Sequence, residues 1–266
     1  MSARPGCLRV LLVAMAVGIG ACGGQTASGA VPAVEVLGDQ WDYVALGSSF
    51  TASATWPETY ASFIEEDLGV SVTYHQRTTG RAKSDAFLER IRTDEELRSL
   101  LANAEVITIG AIYSDFENPV LTYSLGGNCG GDDNQDCLRE ALAGTVDRTE
   151  AILDELLALR GPDEALISVF TVGTWVVERF CEWGSQCWRV LAGYLVEFFD
   201  AVERIAKERN LRVADALEAL HAPGVYEGPM NQDYLDPDRR HLSEKGSAVV
   251  ANLLRDLGYD LSAGGG

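Results

Sequence analysis

Short runs rich in β-branched residues alternate along this sequence with longer stretches of helical periodicity, and this alternation restricts the fold more than any other feature. Where strands and helices alternate in this way, each strand returns to the sheet through a helix, so the strands run parallel and helices cover both faces. The predicted class is α/β: a doubly wound three-layer α/β/α sandwich with a five-stranded, mostly parallel sheet. The candidate strands are Tyr43–Leu46, Val70–His75, Val106–Ile109, Leu166–Phe170 and Leu211–Val213.

Two long segments between these strands carry apolar residues at spacings of three and four, which is the pattern of a helix with one buried face. One runs from Leu138 to Leu157 and the other from Val190 to Ile205, and both are interpreted as core helices. A final helix is predicted to begin near His241 to Ser243. Because ligands of doubly wound folds bind beyond the carboxyl ends of the strands, functional residues are sought in the segments that follow each strand.

The N-terminal segment is predicted to lie outside the folded domain. Arg4 and Arg9 precede an apolar run at 10–21, which is typical of a secretory signal peptide and short for a membrane span. The run ends in Ile-Gly-Ala-Cys, which resembles the lipobox of bacterial lipoproteins, so Cys22 is the predicted lipidation site; ordinary signal cleavage nearby is the alternative. The predicted organisation is a signal peptide at 1–21, a flexible tether at 22–40, a domain at 41–260 and a disordered tail at 261–266.

Charge and cysteine content fit an exported protein that does not bind nucleic acid. Lys and Arg number 21 against 40 Asp and Glu, and the resulting charge of −19 repels a phosphate backbone. Beyond residue 22 the cysteines are even in number, as expected of disulfides in an oxidising compartment. Each close pair lies in its own loop-like stretch, so we favour Cys129–Cys137 and Cys181–Cys187. The predicted location is the cell envelope, facing the periplasm or the exterior, with membrane contact only through the lipid anchor.

One of the three histidines stands in a pattern that suits acid–base chemistry. His241 follows Asp238 across a predicted turn, a spacing that lets the carboxylate hold imidazole Nδ1 and stabilise the imidazolium formed when Nε2 takes a proton. His75, at the end of the second strand, is expected to have a structural role on a polar rim. His221 precedes Ala-Pro in a turn and is expected to be solvated or to cap a helix.

Ser49 is the candidate nucleophile at the end of the first strand. It follows Gly47, which permits a sharp turn, and it precedes a segment that enters a helix near Pro57. Its hydroxyl is therefore expected where ligands bind, with a backbone N–H that can stabilise an oxyanion. Taken alone, Gly-Ser-Ser is equally consistent with a capping pair of serines.

Distant blocks of the sequence together resemble one family. "YVALGSSFTA" is similar to the first block of the SGNH, or GDSL-type, serine hydrolases, with Ser49 at the nucleophile position. "DPDRRHLSEKG" is similar to their last block, with Asp238 and His241 at the remaining positions of the triad. "RTTGR" puts Gly80 where the family has a glycine whose N–H serves the oxyanion hole. The resemblance spans residues 41–257.

This resemblance implies a flavodoxin-like fold and a carboxylic ester hydrolase that forms an acyl-enzyme on Ser49 and needs no cofactor or metal. The N–H groups of Ser49 and Gly80 would be oxyanion donors. The implied substrates are acetylated glycans, lipids or other small acyl esters, and we expect the protein to act as a monomer. In place of the usual Gly-Asp-Ser the chain has Ser48, which is expected to change local hydrogen bonding rather than the reaction.

The third block departs further from the family pattern. The family has Gly-x-Asn-Asp there, with the asparagine donating to the oxyanion, whereas this chain reads "ITIGAIYSDFENP". Pairing the glycines puts Ile112 at the asparagine position, and pairing the Asp-Phe ending puts Ser114 there. We prefer Ser114, because a hydroxyl can donate and an isoleucine cannot; Tyr113 and Asn118 are further possible donors. The missing asparagine also motivates an alternative function, a catalytically weakened binding protein at the cell surface.

Two further loops carry weaker signals. "NCGGDDNQDC" alternates acidic and amide residues like the start of a calcium-binding EF-hand loop, but Cys137 and Ala143 occupy positions that require glycine and glutamate, so a disulfide-closed surface loop is favoured. The stretch around the second cysteine pair is rich in aromatic residues. These form either a wall or lid over the substrate or a small satellite core, and they are Trp175, Phe180, Trp183 and Trp188.

Overall fold

The structure is a computed structural model that describes residues 38–80, 83–110, 112–221, 224 and 228–261. The predicted signal peptide, the lipidation site Cys22 and most of the predicted tether lie outside the described residues, as do residues 262–266 of the predicted tail. Leu261, at the predicted start of that tail, packs against the core. Among the helices of the described part, none has the length and apolarity that crossing a membrane requires.

The described residues form a five-stranded sheet in which neighbouring strands are parallel. The strands are β1 Gln40–Gly47, β2 Ser71–Thr78, β3 Val106–Gly110, β4 Leu166–Phe170 and β5 Arg212–Ala214. Their order is β2-β1-β3-β4-β5, and the α/β class and the candidate strands are therefore confirmed. The order reverses at β1, which pairs with β2 on one side and β3 on the other, and ligands bind at such a switch point.

Helices form a layer on each side of this sheet. The helices are α1 Ser49–Ala52, α2 Trp56–Leu68, α3 Ser84–Thr93, α4 Glu95–Asn103, α5 Glu117–Ser124, α6 Asp136–Leu159, α7 Trp175–Glu178, α8 Gln186–Glu208, α9 Ala216–Leu220 and α10 Glu244–Asp256, with short 3₁₀ turns at Ser114–Phe116 and Gln232–Tyr234. In one layer, α2 packs on α10, and α10 packs on α9; in the other, α6 packs on α3, α4 and α8. The predicted core helices at 138–157 and 190–205 are confirmed as parts of α6 and α8.

The core lies where the sheet is covered on both faces. Every residue of β3 and β4 is buried, which explains why these strands read as continuous apolar runs in the sequence. β2 is an edge strand with partly exposed residues. The carboxyl ends of β1 and β3 are thus held side by side by buried strands, and the candidate residues Ser49 and Ser114 follow these two strands.

Both predicted cysteine pairs are joined in the structure. Cys129–Cys137 closes the loop before α6, and Cys181–Cys187 connects the segment after α7 to the first turn of α8. The second disulfide therefore fixes the aromatic segment against a long core helix.

Candidate active site

The chain makes a sharp turn where β1 ends, and this turn presents Ser49. Gly47 has φ of +149°, and a Cβ at this position would lie 2.3 Å from Thr51 Oγ1, so only glycine fits without displacing α1. The Ser48 carbonyl accepts the N–H of Thr51 (3.0 Å) and of Ala52 (3.1 Å). Helix α1 consequently begins at Ser49, and the Ser48 side chain makes no cap hydrogen bond.

Ser49 and Gly80 are brought into direct contact. The N–H of Ser49 donates to the carbonyl oxygen of Gly80 at 3.0 Å, and Gly80 has a left-handed φ of +59° that favours glycine. The contact uses the carbonyl of Gly80, whereas the sequence analysis assigned a role to its N–H. The N–H of Ser49 can reach an oxyanion only after this hydrogen bond opens.

Asp238 and His241 lie together in a closed turn before α10. An antiparallel bridge joins Leu235 to Leu242, and the N–H of Asp236 donates to the His241 carbonyl at 2.8 Å. Within the turn, Asp238 Oδ1 accepts the N–H groups of Arg240 (2.8 Å) and His241 (3.0 Å). The carboxylate is therefore fixed by the backbone before it contacts the imidazole.

The second oxygen of Asp238 orients the histidine ring. His241 Nδ1 donates to Asp238 Oδ2 at 2.6 Å, which leaves Nε2 as the reactive nitrogen. Burial alone would raise the pKa of Asp238, but the N–H groups of His241 and Arg240 and the imidazole bring it below its usual value. Nε2 is shielded from solvent and has no hydrogen-bond partner among the described residues. A shielded nitrogen without a hydrogen bond can accept one from a reacting hydroxyl group.

Ser49 and His241 are held on neighbouring segments. Thr55, six residues after Ser49, donates its N–H to the hydroxyl of Ser247 at 3.3 Å, and Ser247 lies six residues after His241. This bond joins the start of α2 to the first turns of α10, and these two helices pack along each other. The Ser49 hydroxyl and His241 Nε2 are not hydrogen-bonded to each other, a looseness common in sites without substrate.

The third block follows β3, and the two residues that can be aligned with the family's asparagine differ in burial. Ile112 is buried in the core, whereas Ser114 is half-buried and begins the 3₁₀ turn. Asp115 holds that turn in position, because its carboxylate accepts the Ser84 N–H at the start of α3 (3.0 Å) and pairs with Arg148 (3.1 Å). Of the two alternatives, Ser114 is the one with an accessible donor.

The other donors considered for this block differ in surroundings. Tyr113 is buried edge-on against Trp175, with ring centroids 5.9 Å apart, and burial raises the pKa of its hydroxyl well above the usual value. Asn118 is exposed in α5 and lines a small cavity beside Arg240. Arg240 stacks over the Trp175 ring at 5.6 Å and pairs with Glu117 at 3.0 Å.

Two cavities flank the turn that carries His241, and they share Trp175 and Arg179. The larger, which we call the arginine cavity, has a volume of about 340 Å³, and the smaller about 150 Å³. A groove of about 690 Å³ between α6 and α8 contains none of the predicted site residues. The arginine cavity is lined by Trp175, Glu178, Arg179, Cys181, Glu182, Trp183, Pro229, Gln232, Leu235 and Arg239.

Solved structures with a similar fold are lipases and esterases. A lipase from a goat rumen metagenome matches 83% of this chain and 98% of its own, with 17% identity and a TM-score of 0.66. An extracellular lipase from Streptomyces rimosus matches 81% and 99%, with 14% identity and a TM-score of 0.58. A variant of an acetyl xylan esterase from Geobacillus stearothermophilus matches 83% and 95%, with 17% identity and a TM-score of 0.54.

This chain has the α/β fold of these lipases and esterases. The order of its strands and the coverage of whole neighbouring chains agree with the resemblance noted in its sequence blocks. No protein-family model matches the sequence, and no curated protein matches it either. At these low identities the likeness establishes the fold, and the chemistry has to be argued from the residues of this chain.

His221 caps the C-terminal end of α9, which is one of the two roles expected for it, but it is not solvated. It is fully buried, its Nδ1 donates to the Leu217 carbonyl at 2.8 Å, and its Nε2 lies 2.6 Å from Thr174 Oγ1. The sequence missed this site because Thr174 and Glu178 follow a different strand, and only the Ala-Pro turn is visible locally. His75, in contrast, has the expected structural contact, with Nε2 2.8 Å from Asp42 Oδ1.

Glu178 completes the buried cluster around His221. Its Oε1 accepts the Met230 N–H at 2.9 Å and the Thr174 hydroxyl at 3.0 Å, and it lies 3.6 Å from His221 Nε2. Burial would raise the pKa of Glu178, but the bonds from His221, Met230 and Thr174 together lower it. The cluster therefore connects α7, α9 and the segment that leads to the His241 turn.

The aromatic segment divides between the two alternatives left open by the sequence. Trp175 and Trp188 are buried, as a satellite core requires, whereas Phe180 and Trp183 are exposed by 37% and 40%. Trp183 lines the arginine cavity and Phe180 the smaller one. Core and cavity wall are therefore formed by the same short segment.

The acidic loop at 128–137 is closed by its own contacts. Asp133 and Asp136 both pair with Arg139, at 2.8 and 2.6 Å, and Asn134 Oδ1 accepts the Cys129 N–H at 2.6 Å. Within the described ranges, no group of three or more histidine, cysteine or acidic side chains is arranged to hold a metal ion.

Proposed function

We propose that this chain is an exported, lipid-anchored serine esterase that hydrolyses carboxylic esters through an acyl-enzyme on Ser49. The observation that carries the proposal is the state of His241: Asp238 holds Nδ1 at 2.6 Å, and the buried Nε2 has no partner among the described residues. The fold, shared with lipases and an acetyl xylan esterase, supports the same class of reaction.

Acylation follows from these positions. Ser49 Oγ attacks the ester carbonyl carbon while His241 Nε2 takes the hydroxyl proton, and Asp238 stabilises the resulting imidazolium. The tetrahedral intermediate collapses by breaking the bond to the alcohol oxygen, which receives the proton from Nε2. Water then attacks the acyl-enzyme with the same nitrogen as base, releasing the acid and restoring the serine.

The oxyanion formed in both steps needs donors at the ends of β1 and β3. The proposed donors are the N–H of Ser49, once released from the Gly80 carbonyl, the N–H of Gly80 and the hydroxyl of Ser114. Each donor of this kind typically contributes about 100- to 1000-fold in turnover. A serine in place of the family's asparagine is therefore compatible with an active enzyme.

Labelling of the purified protein with a fluorophosphonate tests the nucleophile. We expect mass spectrometry to find the label on Ser49, and we expect His241→Ala to abolish it. Ser48→Ala is the matched control, because it removes the neighbouring hydroxyl and should leave labelling and turnover of p-nitrophenyl acetate in place. Folded protein with neither labelling nor turnover would contradict the proposal.

A catalytically weakened binding protein is the second candidate function. It is favoured by the hydrogen bond from the Ser49 N–H to the Gly80 carbonyl, which covers a donor that catalysis needs. The same labelling experiment separates the two, because a protein that only binds esters leaves the probe unreacted.

Lipid anchoring is tested separately, by following Cys22→Ser in cell fractions. We expect the variant to leave the membrane fraction, and a variant that stays there would contradict anchoring through this cysteine. The substrates we propose are acyl esters of glycans, lipids or small molecules, and the next section narrows this class.

A further inference from the structure

The arginine cavity contains two guanidinium groups that form no ion pair with a described carboxylate. Among the described arginines, only Arg179, Arg189 and Arg239 have neither an ion pair nor a side-chain hydrogen bond with another described residue. Two of these, Arg179 and Arg239, line the same cavity. Arg179 contacts Phe180, with its guanidinium 5.7 Å from the ring centroid, and this contact leaves its donors free.

Such a pair is unexpected in this chain because carboxylates are in large excess, with a net charge of −19. Neighbouring Arg240, for example, pairs with Glu117 at 3.0 Å. Glu178 lines the cavity but is engaged by Thr174 and the Met230 N–H. Glu182 is the other carboxylate of the lining, so the formal charges of the lining cancel, and it is the absence of ion pairs with described residues at Arg179 and Arg239 that leaves their N–H donors available.

The backbone at Arg239 gives a second, independent observation. Arg239 has a left-handed φ of +53°, a conformation that costs a residue other than glycine or asparagine about 1 kcal/mol or more. Glycine or asparagine would close the same turn at lower cost. A long cation at a strained position, one residue after Asp238, indicates that its side chain has a use there.

We propose that the arginine cavity binds an anionic group, a carboxylate or a phosphate, on the alcohol part of the ester; this rests on the proposed serine esterase. His241 returns its proton to the leaving alcohol, and Arg239 lies in the same turn, so the cavity faces that part of the substrate. Guanidinium groups bind carboxylate and phosphate through paired N–H donors, and Trp183 offers an exposed ring face for a sugar or aromatic ring. The substrate class is an acyl ester of an acidic sugar or a similar anionic alcohol.

A matched pair of esters tests this subsite. 4-Acetoxybenzoate carries the anion on the leaving alcohol, and 4-acetoxybenzamide is its neutral counterpart of nearly equal size. We expect the wild-type kcat/KM to favour the anion by at least tenfold. Arg239→Asn keeps a residue suited to the backbone, and with Arg179→Gln it should lower that preference at least tenfold. Glu182→Gln should raise the preference.

Arg189→Gln is the control, since it removes another unpaired arginine, exposed on α8, and should leave the preference unchanged. 4-Acetoxyphenyl phosphate distinguishes the two kinds of anion, because a phosphate site would favour it over the benzoate. A wild-type ratio of the two kcat/KM values near one, or an equal loss of preference in Arg189→Gln, would overturn the subsite. Turnover of the neutral ester in that case would still support the esterase. Absence of both Ser49 labelling and turnover would refute the esterase and the subsite with it.

Discussion

His241 and His221 both pair with a carboxylate, and they differ in what the second ring nitrogen meets. At His241, Asp238 occupies Nδ1 and Nε2 has no partner among the described residues. At His221, the Leu217 carbonyl occupies Nδ1, and Nε2 lies against Thr174 and near Glu178. The first ring keeps one shielded nitrogen without a hydrogen bond to a described residue, and the second has partners at both nitrogens.

The partners of the second ring are themselves connected. Thr174 Oγ1 contacts both Glu178 Oε1 and His221 Nε2, and the Met230 N–H also donates to Glu178. A histidine enclosed by such contacts contributes to structure, whereas a reactive histidine must gain and lose its proton.

The largest expected effect comes from His241→Ala, which removes the imidazole whose Nε2 has no hydrogen bond to a described residue. We expect kcat/KM for p-nitrophenyl acetate to fall by about 10⁴-fold or more, because the serine loses its base. The melting temperature should stay close to that of the wild type, since Nε2 has no hydrogen bond to a described residue. A large fall in melting temperature with activity retained would reverse the roles assigned to the two histidines.

Asp238→Asn tests the positioning half of the same pair. The amide keeps an oxygen for the backbone N–H groups of Arg240 and His241 but loses the charge that stabilises the imidazolium. We expect kcat to fall by about 100-fold or more with little change in KM, as measured by steady-state kinetics. An unchanged kcat would show that the 2.6 Å contact orients nothing that the reaction uses.

His221→Ala should act on stability. It leaves Glu178 buried without its partner, and breaking a buried pair costs about 3 kcal/mol of unfolding free energy. Urea denaturation measures this loss, with His75→Ala as the control, because His75 is half-exposed and its removal should cost less. Equal losses in the two variants would contradict a closed, buried cluster.

The smallest effect is a change in pH dependence in Glu178→Gln. The pKa of Glu178 is lowered in the folded protein, so the unfolded chain takes up this proton first as pH falls, and the carboxylate's stabilisation is lost on acidification below about pH 5. We expect the free energy of unfolding to decline less steeply between pH 6 and pH 4 in the variant. Parallel declines would show that Glu178 does not titrate in this way.

The sequence predicted those features whose determinants are local. Strand β4 was predicted with its observed ends, because a fully buried strand shows in the sequence as a short run rich in apolar residues. The Asp238–His241 pair was predicted because both residues lie in one turn. The disulfide pairs were predicted because each joins cysteines within one loop.

Features that depend on distant segments were predicted poorly or left open. His221 is buried by Thr174 and Glu178, which follow β4, and no spacing in the sequence indicates that contact. The choice between Ile112 and Ser114 needed the burial of each side chain, since both alignments fit the letters. The division of the aromatic segment likewise depends on tertiary packing, because Trp188 is buried in the first turn of α8 whereas Trp183, before that helix, stays exposed.

The hydrogen bond from the Ser49 N–H to the Gly80 carbonyl has a consequence for how an ester would enter. A substrate carbonyl that accepts this N–H replaces one neutral carbonyl acceptor by another, so little binding free energy is gained before the reaction begins. The gain appears only as the substrate oxygen becomes an anion, which the Gly80 oxygen never does. An internal competitor of this kind makes the donor selective for the transition state over the bound ester.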